Sequence, residues 1–363
     1  MRKPGRALNR DCQWGEKYQG CLADARELAE KPHFVEETSL HGMAWLGRPM
    51  PWLQFSRRLA RLLGISAQVQ AADGHWRQAL DESDRVMALG ALVGKECKTM
   101  IQGLVADAIL AIGLHDLRTV ASAAPDAALL KAHLGPLLDE DAFRSGMNKG
   151  MAGEFQGDVG LFEELRKLDT SELGSSLGMS RSAVPQANLI ERHLRASPFF
   201  KVNMTCNLLG RAMLPCIVRS EIYTPLPPNP LSEGDLWEIA RRVGYLRFAR
   251  DPLGVSFAFI LLPAQDRWVK GCYGTIAQAR LTQVCIALRC YQLEHGKLPE
   301  ALDALAPEYL KAVPLDPFTG KPFGYEPGGQ KPRIWSVGPD QRTDPPDAEE
   351  ADDVVVPSEF AGP

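Results

Sequence analysis

Apolar residues recur three and four positions apart over most of the first 120 residues, which predicts amphipathic helices there. Leu59 and Leu62 belong to one such stretch, and a second begins at Trp76, just after Asp73 and Gly74. Glycine readily takes the backbone conformations that close a turn. We therefore expect two antiparallel helices whose connection lies at Gly74.

The junction AADGHWRQALDES resembles the turn between the two helices of a tetratricopeptide repeat. Gly74 turns the chain, and the small Ala79 permits the helices to approach closely. Gln70 and Ser83 stand where that repeat carries large aromatic residues, and the chain shows no clear recurrence at about 34 residues. The resemblance implies a tetratricopeptide-like helical domain over residues 1–223 that offers a groove to protein partners. An ordinary αα-hairpin is the alternative.

Glycines interrupt the helical pattern between Pro136 and Leu168, so we expect that helix to be broken. A Ser- and Gly-rich loop follows, and Ala187 to Ile222 returns to a helical pattern. Residues 224–265 are predicted to form a proline-rich connector and a helix, because TPLPPNP cannot continue a helix.

A long amphipathic helix is predicted from Asp266 to His295, and the pattern changes after Gly296. Short segments divided by Pro and Gly follow, of which KPFGYEP, RIWSVG and DDVVVP are the best candidates for strands. The predicted fold is mainly α, with a C-terminal α+β module over residues 266–363 that holds a small antiparallel sheet.

Composition and charge narrow the class of partner. The 363 residues carry a formal net charge of -4, and the basic residues are scattered, which argues against nucleic acid as a partner. The most apolar stretch, Val255 to Leu262, is far shorter than the roughly 20 residues that span a bilayer, so we expect no transmembrane segment. Met1 to Gly20 lacks the apolar core of a signal peptide. This favours a cytoplasmic chain, unless the true start with an anchor lies upstream.

The C-terminal quarter carries a linked succession of features. The segment IALRCYQLEHGKLPEALDALAPEYLKAVPLDPFTGKPFGYEPGG is followed by IWSVGPD and, after an acidic loop, by ADDVVV. Over roughly residues 266–356 this order resembles the soluble domain of the G-type major pseudopilin of type II secretion systems. In that family a long helix ends at a Gly, a short helix starts at LP, and a proline loop leads into the sheet.

Local chemistry supports several of these features independently. Gly296 suits the left-handed conformation that ends a helix, and Pro299 suits the first turn of the next one. Asp316 can accept hydrogen bonds from nearby backbone N–H groups, and Gly320 supplies a turn.

The resemblance implies a calcium site in the acidic loop. Asp340 and Asp353 would be ligands, the backbone carbonyl of Val337 would complete the shell, and Asp352 is a substitute for Asp353. Calcium takes six to eight oxygen ligands, which suits such a loop. Its prolines, Pro339 among them, depart from the family pattern, and a disordered acidic tail is the alternative.

GSSLG, which contains Gly174, Ser176 and Gly178, matches the GxSxG nucleophile elbow, but no buried strand precedes it. We therefore assign no catalytic residues. The sequence favours a non-catalytic scaffold or protein-interaction protein of the cell envelope, linked to type II secretion through its module. A soluble hydrolase with its site in the helical domain is the alternative. A fibre subunit would require a hydrophobic start upstream, and the resemblance favours the periplasmic side.

Overall fold

The chain is mainly helical and ends in a small antiparallel sheet, as the sequence predicts. The computed structural model describes residues 18–33, 50–165, 202–214, 217–218, 220–225, 263–328, 332–343 and 354–357, with positions 238, 241, 244–246 and 255. In this part of the chain there are eight α-helices and three strands.

The elements follow one another along the chain with these bounds. The helices are α1 (Gln19–Ala29), α2 (Pro51–Ala72), α3 (Trp76–Lys95), α4 (Met100–Ala123), α5 (Ala127–Lys131), α6 (Glu140–Leu165), α7 (Val202–Met213) and α8 (Pro263–His295). A 3-10 helix at Leu302–Leu305 leads to β1 (Gly324–Glu326), β2 (Arg333–Ser336) and β3 (Val354–Pro357).

Helices α2 and α3 form the hairpin expected from the sequence. Gly74 lies between them with a φ of 81°, a left-handed conformation that glycine takes without strain. The N–H of His75 donates to the carbonyl of Gln70 at 2.8 Å, which closes the end of α2. Ala79 is fully buried, as close helix approach requires.

Helix α4 occupies the middle of the helical part. The Thr99 side chain caps it by accepting the N–H of Gln102 at 3.0 Å. Among the described residues, α4 is the single helix long and apolar enough to cross a membrane by length and composition. It packs against α2, α3, α6 and α8, and 61% of its apolar window is buried. This packing is that of a core helix.

The expectation that glycines break the helix between Pro136 and Leu168 is wrong, because α6 runs without interruption from Glu140 to Leu165. A Cβ on Gly146 would lie 2.2 Å from the Gly94 carbonyl oxygen, and one on Gly153 would lie 2.1 Å from that of Lys98. These glycines therefore let α6 touch the backbone at the end of α3. Tertiary packing outweighs their low helix propensity.

The long helix α8 contributes to two hydrophobic cores. Trp268, Cys272 and Ile276 lie in one core with residues of α4, α6 and α7. Leu281 and Leu288 lie in the other, with the 3-10 helix, the sheet and the ends of α2 to α4. A helix that is apolar on several sides is stable only when it is covered on those sides. The predicted domain boundary at residue 266 stays a prediction. The packing gives α8 contacts both with the other helices and with the sheet.

Hydrogen bonds fasten α8 to its surroundings. Arg280 on α8 donates to both carboxylate oxygens of Glu140 on α6, each at 2.8 Å. The same guanidinium donates to the carbonyl of Leu315 at 2.7 Å. Arg280 thus joins the helical part to the loop that precedes the sheet.

Helix α8 ends where the sequence predicts, at Gly296, whose φ is 69°. The three strands lie in the predicted segments and pair in the order β1-β2-β3, both pairs antiparallel. Ile334 on β2 is fully buried against α8, so one face of the sheet covers the helix.

We expect Gly153→Ala to lower the free energy of unfolding by about 1–3 kcal/mol, because the new methyl group would force α6 away from the Lys98 carbonyl. Urea unfolding of the full chain measures the change. Gly135→Ala is the matched control, since a Cβ on Gly135 would meet nothing within 4 Å. Equal stability of the two variants would contradict the close contact.

Candidate functional site

Two of the four predicted calcium ligands lie in one turn directly after β2. Val337 is the first residue after the strand, and Asp340 follows three positions later with its side chain exposed. The N–H of Arg342 donates to Asp340 Oδ1 at 2.7 Å. Asp352 and Asp353 lie outside the described residues.

The register of β2 and β3 bears on the other two predicted ligands. Ser336 pairs with Val354 at this end of the ladder. The next residue on the β2 side is Val337, and the residue that precedes Val354 in sequence is Asp353. The acidic loop therefore begins and ends next to the paired residues Ser336 on β2 and Val354 on β3.

A buried carboxylate, Asp316, holds the start of this loop. Its side chain is 1% exposed and accepts three hydrogen bonds. Oδ1 accepts from the Phe318 N–H and the Ser336 hydroxyl, both at 2.9 Å, and Oδ2 accepts from the Val337 N–H at 3.0 Å. The sequence predicted bonds from Asp316 to nearby backbone N–H groups, but it carried no signal for the contact with the end of β2.

The loop around Asp316 is also tied to the helical part. The N–H of Tyr223 donates to the carbonyl of Pro317 at 2.7 Å. The Phe318 ring packs edge-on against Tyr223 at 5.4 Å between centroids, and Tyr273 on α8 lies beside both rings. The proline loop is therefore held by α8 on one side and by β2 on the other.

The donors in the described part fit a hard cation in kind. Asp340 offers an exposed carboxylate, and backbone carbonyls such as that of Val337 are also oxygen ligands. Among the described residues no three His, Cys, Asp or Glu side chains come together as a metal site. The acids on which a complete shell depends, Asp352 and Asp353, belong to the segment outside the description.

A groove lies on the helical part between the end of α1, α3 and the start of α6. It encloses about 330 Å³. Its lining is mostly apolar, with Lys31 and Lys95 among the polar exceptions. The apolar side chains that line it include Ala88, Ala91, Leu92, Leu138, Ala142 and Phe143.

Two carboxyl groups on α4 and two on α6 are buried or half-buried, and desolvation raises the pKa of each. The pKa of Asp107 rises to about 7, and the Thr275 hydroxyl on α8 donates to its carboxyl. The pKa of Asp116 is also raised, while Gln68 on α2 donates to it at 3.0 Å. Asp107 therefore lies in the contact between α4 and α8, and Asp116 lies in the contact between α4 and α2.

The other two carboxyl groups lie one turn apart on α6. Glu154 has a raised pKa and accepts the N–H of Met100, the first residue of α4, at 3.1 Å. The pKa of Asp158 rises to about 7, mainly through burial and then through repulsion from Glu154. Neither lines the groove.

Shifted carboxyl groups that converge in a cleft are a common mark of an active site. Here Asp107 contacts α8 and Asp116 contacts α2, while Glu154 and Asp158 form a pair on α6 that does not line the groove. The segment with Gly174, Ser176 and Gly178 lies outside the described residues. The absence of catalytic residues therefore stays a prediction.

The described cysteines carry free thiols. Burial raises the pKa of Cys97, Cys285 and Cys290 to about 12, which makes them poor nucleophiles. By their spacing, Cys12 with Cys21 or Cys206 with Cys216 could form disulfides in an oxidising compartment, but Cys12 and Cys216 lie outside the described residues.

Comparisons with protein-family models, curated proteins and solved structures found no match to this chain. Its function is therefore inferred from its own residues and from the resemblance of its C-terminal quarter.

We expect the thermal midpoint of the chain to fall as pH rises from 5 to 8. In the folded chain the pKa of Asp158 is about 7, above its ordinary value of 3.8. The folded state therefore holds the proton more tightly, and the stability that this provides is lost as pH rises towards 7. Asp158→Asn should reduce the fall and raise the midpoint at pH 8.

Scanning calorimetry at several pH values measures both effects. Asp107 titrates in the same range, so the variant should reduce the pH dependence without abolishing it. Asp141→Asn, at a side chain that is 94% exposed, is the control and should leave the profile unchanged. Identical profiles for Asp158→Asn and the parent chain would contradict the assignment.

Proposed function

We propose that this protein is a non-catalytic scaffold of the cell envelope that binds protein partners and carries a pseudopilin G-like module linked to type II secretion. The groove between α1, α3 and α6 is the surface it offers to those partners. Calcium in the acidic loop stiffens the module. The extracytoplasmic side of the membrane is its place, because calcium is scarce in the cytosol.

The order of elements in the C-terminal quarter supports the module. A long helix ends at Gly296, a short helical turn packs on it, and a proline loop around Asp316 leads into three antiparallel strands. Each of these elements has a counterpart in the order of elements of the pseudopilin G soluble domain. Helical packing of α8 joins this module to the rest of the chain.

The β2–β3 register is the observation on which the calcium proposal depends. Pairing of Ser336 with Val354 brings both ends of the acidic loop to one place. Asp340 and the Val337 carbonyl would supply oxygens from the β2 side, and Asp353, or Asp352 in its stead, from the β3 side. A bound cation would offset the repulsion between these carboxylates and close the loop against the sheet.

An apolar groove between helices suits an apolar protein segment better than a small polar substrate. Small side chains such as Ala88 and Ala91 leave room on α3, and Phe143 gives an aromatic wall on α6. Helix α6 lines the groove, and its Glu140 forms an ion pair with Arg280 on α8, the first helix of the module. A partner held in the groove would thus be attached firmly to the module.

Calcium should raise the thermal midpoint of the full chain by several degrees relative to excess chelator. A ligand of the folded state at 100 times its dissociation constant adds about 2.7 kcal/mol of stability. The full chain is required because α8 lies in both cores. Asp340→Ala should remove most of the calcium-dependent shift.

Asp303→Ala is the matched control, an exposed acid of the same module in the 3-10 helix. It should leave the calcium shift unchanged. Absence of any shift in the parent chain would overturn the calcium proposal. A shift that Asp340→Ala retains in full would place the ion elsewhere.

A further inference from the structure

We propose that the outer face of α4 binds an amphipathic helix of a protein partner whose apolar stripe is bordered by acidic residues. This outer face consists of Ile101, Leu104, Ala108, Ala111 and His115, with the exposed side chains beside them on α2 and α8. It is a second binding surface, independent of the calcium site and separate from the groove between α1, α3 and α6.

Contacts with three neighbouring helices determine which side of α4 is left uncovered. Leu110 and Gly113 lie against α3. Helix α2 meets α4 at Asp116, and helix α8 meets it at Asp107. At 3.6 residues per turn, the side opposite α3 and between α2 and α8 is the one that carries the outer face.

The charged side chains of α4 all turn away from this face. They are Asp107, Asp116 and Arg118, and each is hydrogen-bonded to a side chain of α2 or α8. On the solvent side, by contrast, Ile101 is 55% exposed and Leu104 is 50% exposed. A surface helix normally has its charged residues on the solvent side and its apolar residues inside. The reversed arrangement on α4 is the one expected of a surface that another molecule covers.

Arginines border the apolar stripe on both sides. Arg58 and Arg61 are exposed on α2, a helix that contains no Asp or Glu. Arg61 lies one turn before Gly64, which contacts α4. On the other side, Arg267 is exposed on α8 next to Trp268, whose ring lies against α4. An apolar centre with a positively charged border is complementary to an apolar stripe with acidic residues on its flanks.

Small residues in the middle of the face favour a helix over a lipid surface as the occupant. Ala108 and Ala111 lie on α4, with Gly271 and Gly274 beside them on α8. Short side chains let the backbone of a docked helix approach closely, whereas a lipid surface is bound by large apolar side chains that enter between the headgroups. The stripe from residue 101 to residue 115 is about 21 Å long, which is about four turns of a helix.

Two designed peptides of about 18 residues test this surface, a length that covers the stripe with a turn to spare. The acidic peptide carries leucine and alanine on one helical face and glutamate along both borders, and the basic peptide has lysine in place of every glutamate. Fluorescence anisotropy of each labelled peptide, titrated with the full chain, measures the two affinities. We expect the acidic peptide to bind about tenfold more tightly than the basic one. Arg58→Glu combined with Arg61→Glu should weaken the acidic peptide about tenfold and strengthen the basic peptide, because attraction is exchanged for repulsion.

Gly274→Leu separates docking from stability. A Cβ on Gly274 would meet nothing within 4 Å, and leucine favours a helix more than glycine does. This variant should therefore unfold no more easily than the parent chain, yet its new side chain should block the acidic peptide. Lys297→Glu combined with Lys311→Glu, at two exposed lysines of the C-terminal module, is the control with the same change of charge and should leave both affinities unchanged.

Failure of the parent chain to bind the acidic peptide, or equal binding of both peptides, would overturn the inference. Unchanged binding in folded Gly274→Leu would do the same, because the peptide would then lie elsewhere. Binding to phosphatidylserine vesicles without binding to the acidic peptide would assign the face to a lipid surface instead. A dimer in sedimentation velocity that Gly274→Leu dissociates would assign it to a second copy of the chain, and either result overturns the role in binding a partner helix.

Discussion

Burial of α8 on several sides is the constraint on which the rest of the structure depends. Its first half needs α4, α6 and α7 as cover, and its second half needs the 3-10 helix and the sheet. Neither the helical part nor the C-terminal module covers it alone. The ion pair between Arg280 and Glu140 orients α8 against α6, because the guanidinium binds both carboxylate oxygens. The module is consequently built into the helical part.

Asp316 extends that constraint from α8 to the acidic loop. Arg280 holds the Leu315 carbonyl next to it, and its own carboxylate holds Ser336 and Val337 at the end of β2. A buried carboxylate that accepts three hydrogen bonds is costly to disturb, because each broken bond leaves a desolvated polar group. The start of the acidic loop at Val337 is therefore held in place by Asp316.

Local signals predicted the features that local chemistry controls. Gly74 and Gly296 mark a turn and a helix end because their positive φ suits glycine, and the three strands follow the β-branched and aromatic segments. The sequence misassigned the glycines of α6, since Gly153 serves a contact with Lys98 far away in the chain. The partners of Asp316 on β2 and the buried carboxyl of Asp158 are likewise products of long-range packing. Of the predicted calcium ligands, the structure describes Val337 and Asp340.

A crystal structure of the full chain grown with calcium, with anomalous data to locate the ion, tests the proposed calcium site most directly. We expect one ion with Asp340 and the Val337 carbonyl among its ligands, at oxygen distances of about 2.3–2.6 Å. The Ser336 hydroxyl should still join Asp316 to the Gly338 N–H. An ordered acidic loop without an ion, or an ion bound away from Val337 and Asp340, would contradict the proposed module.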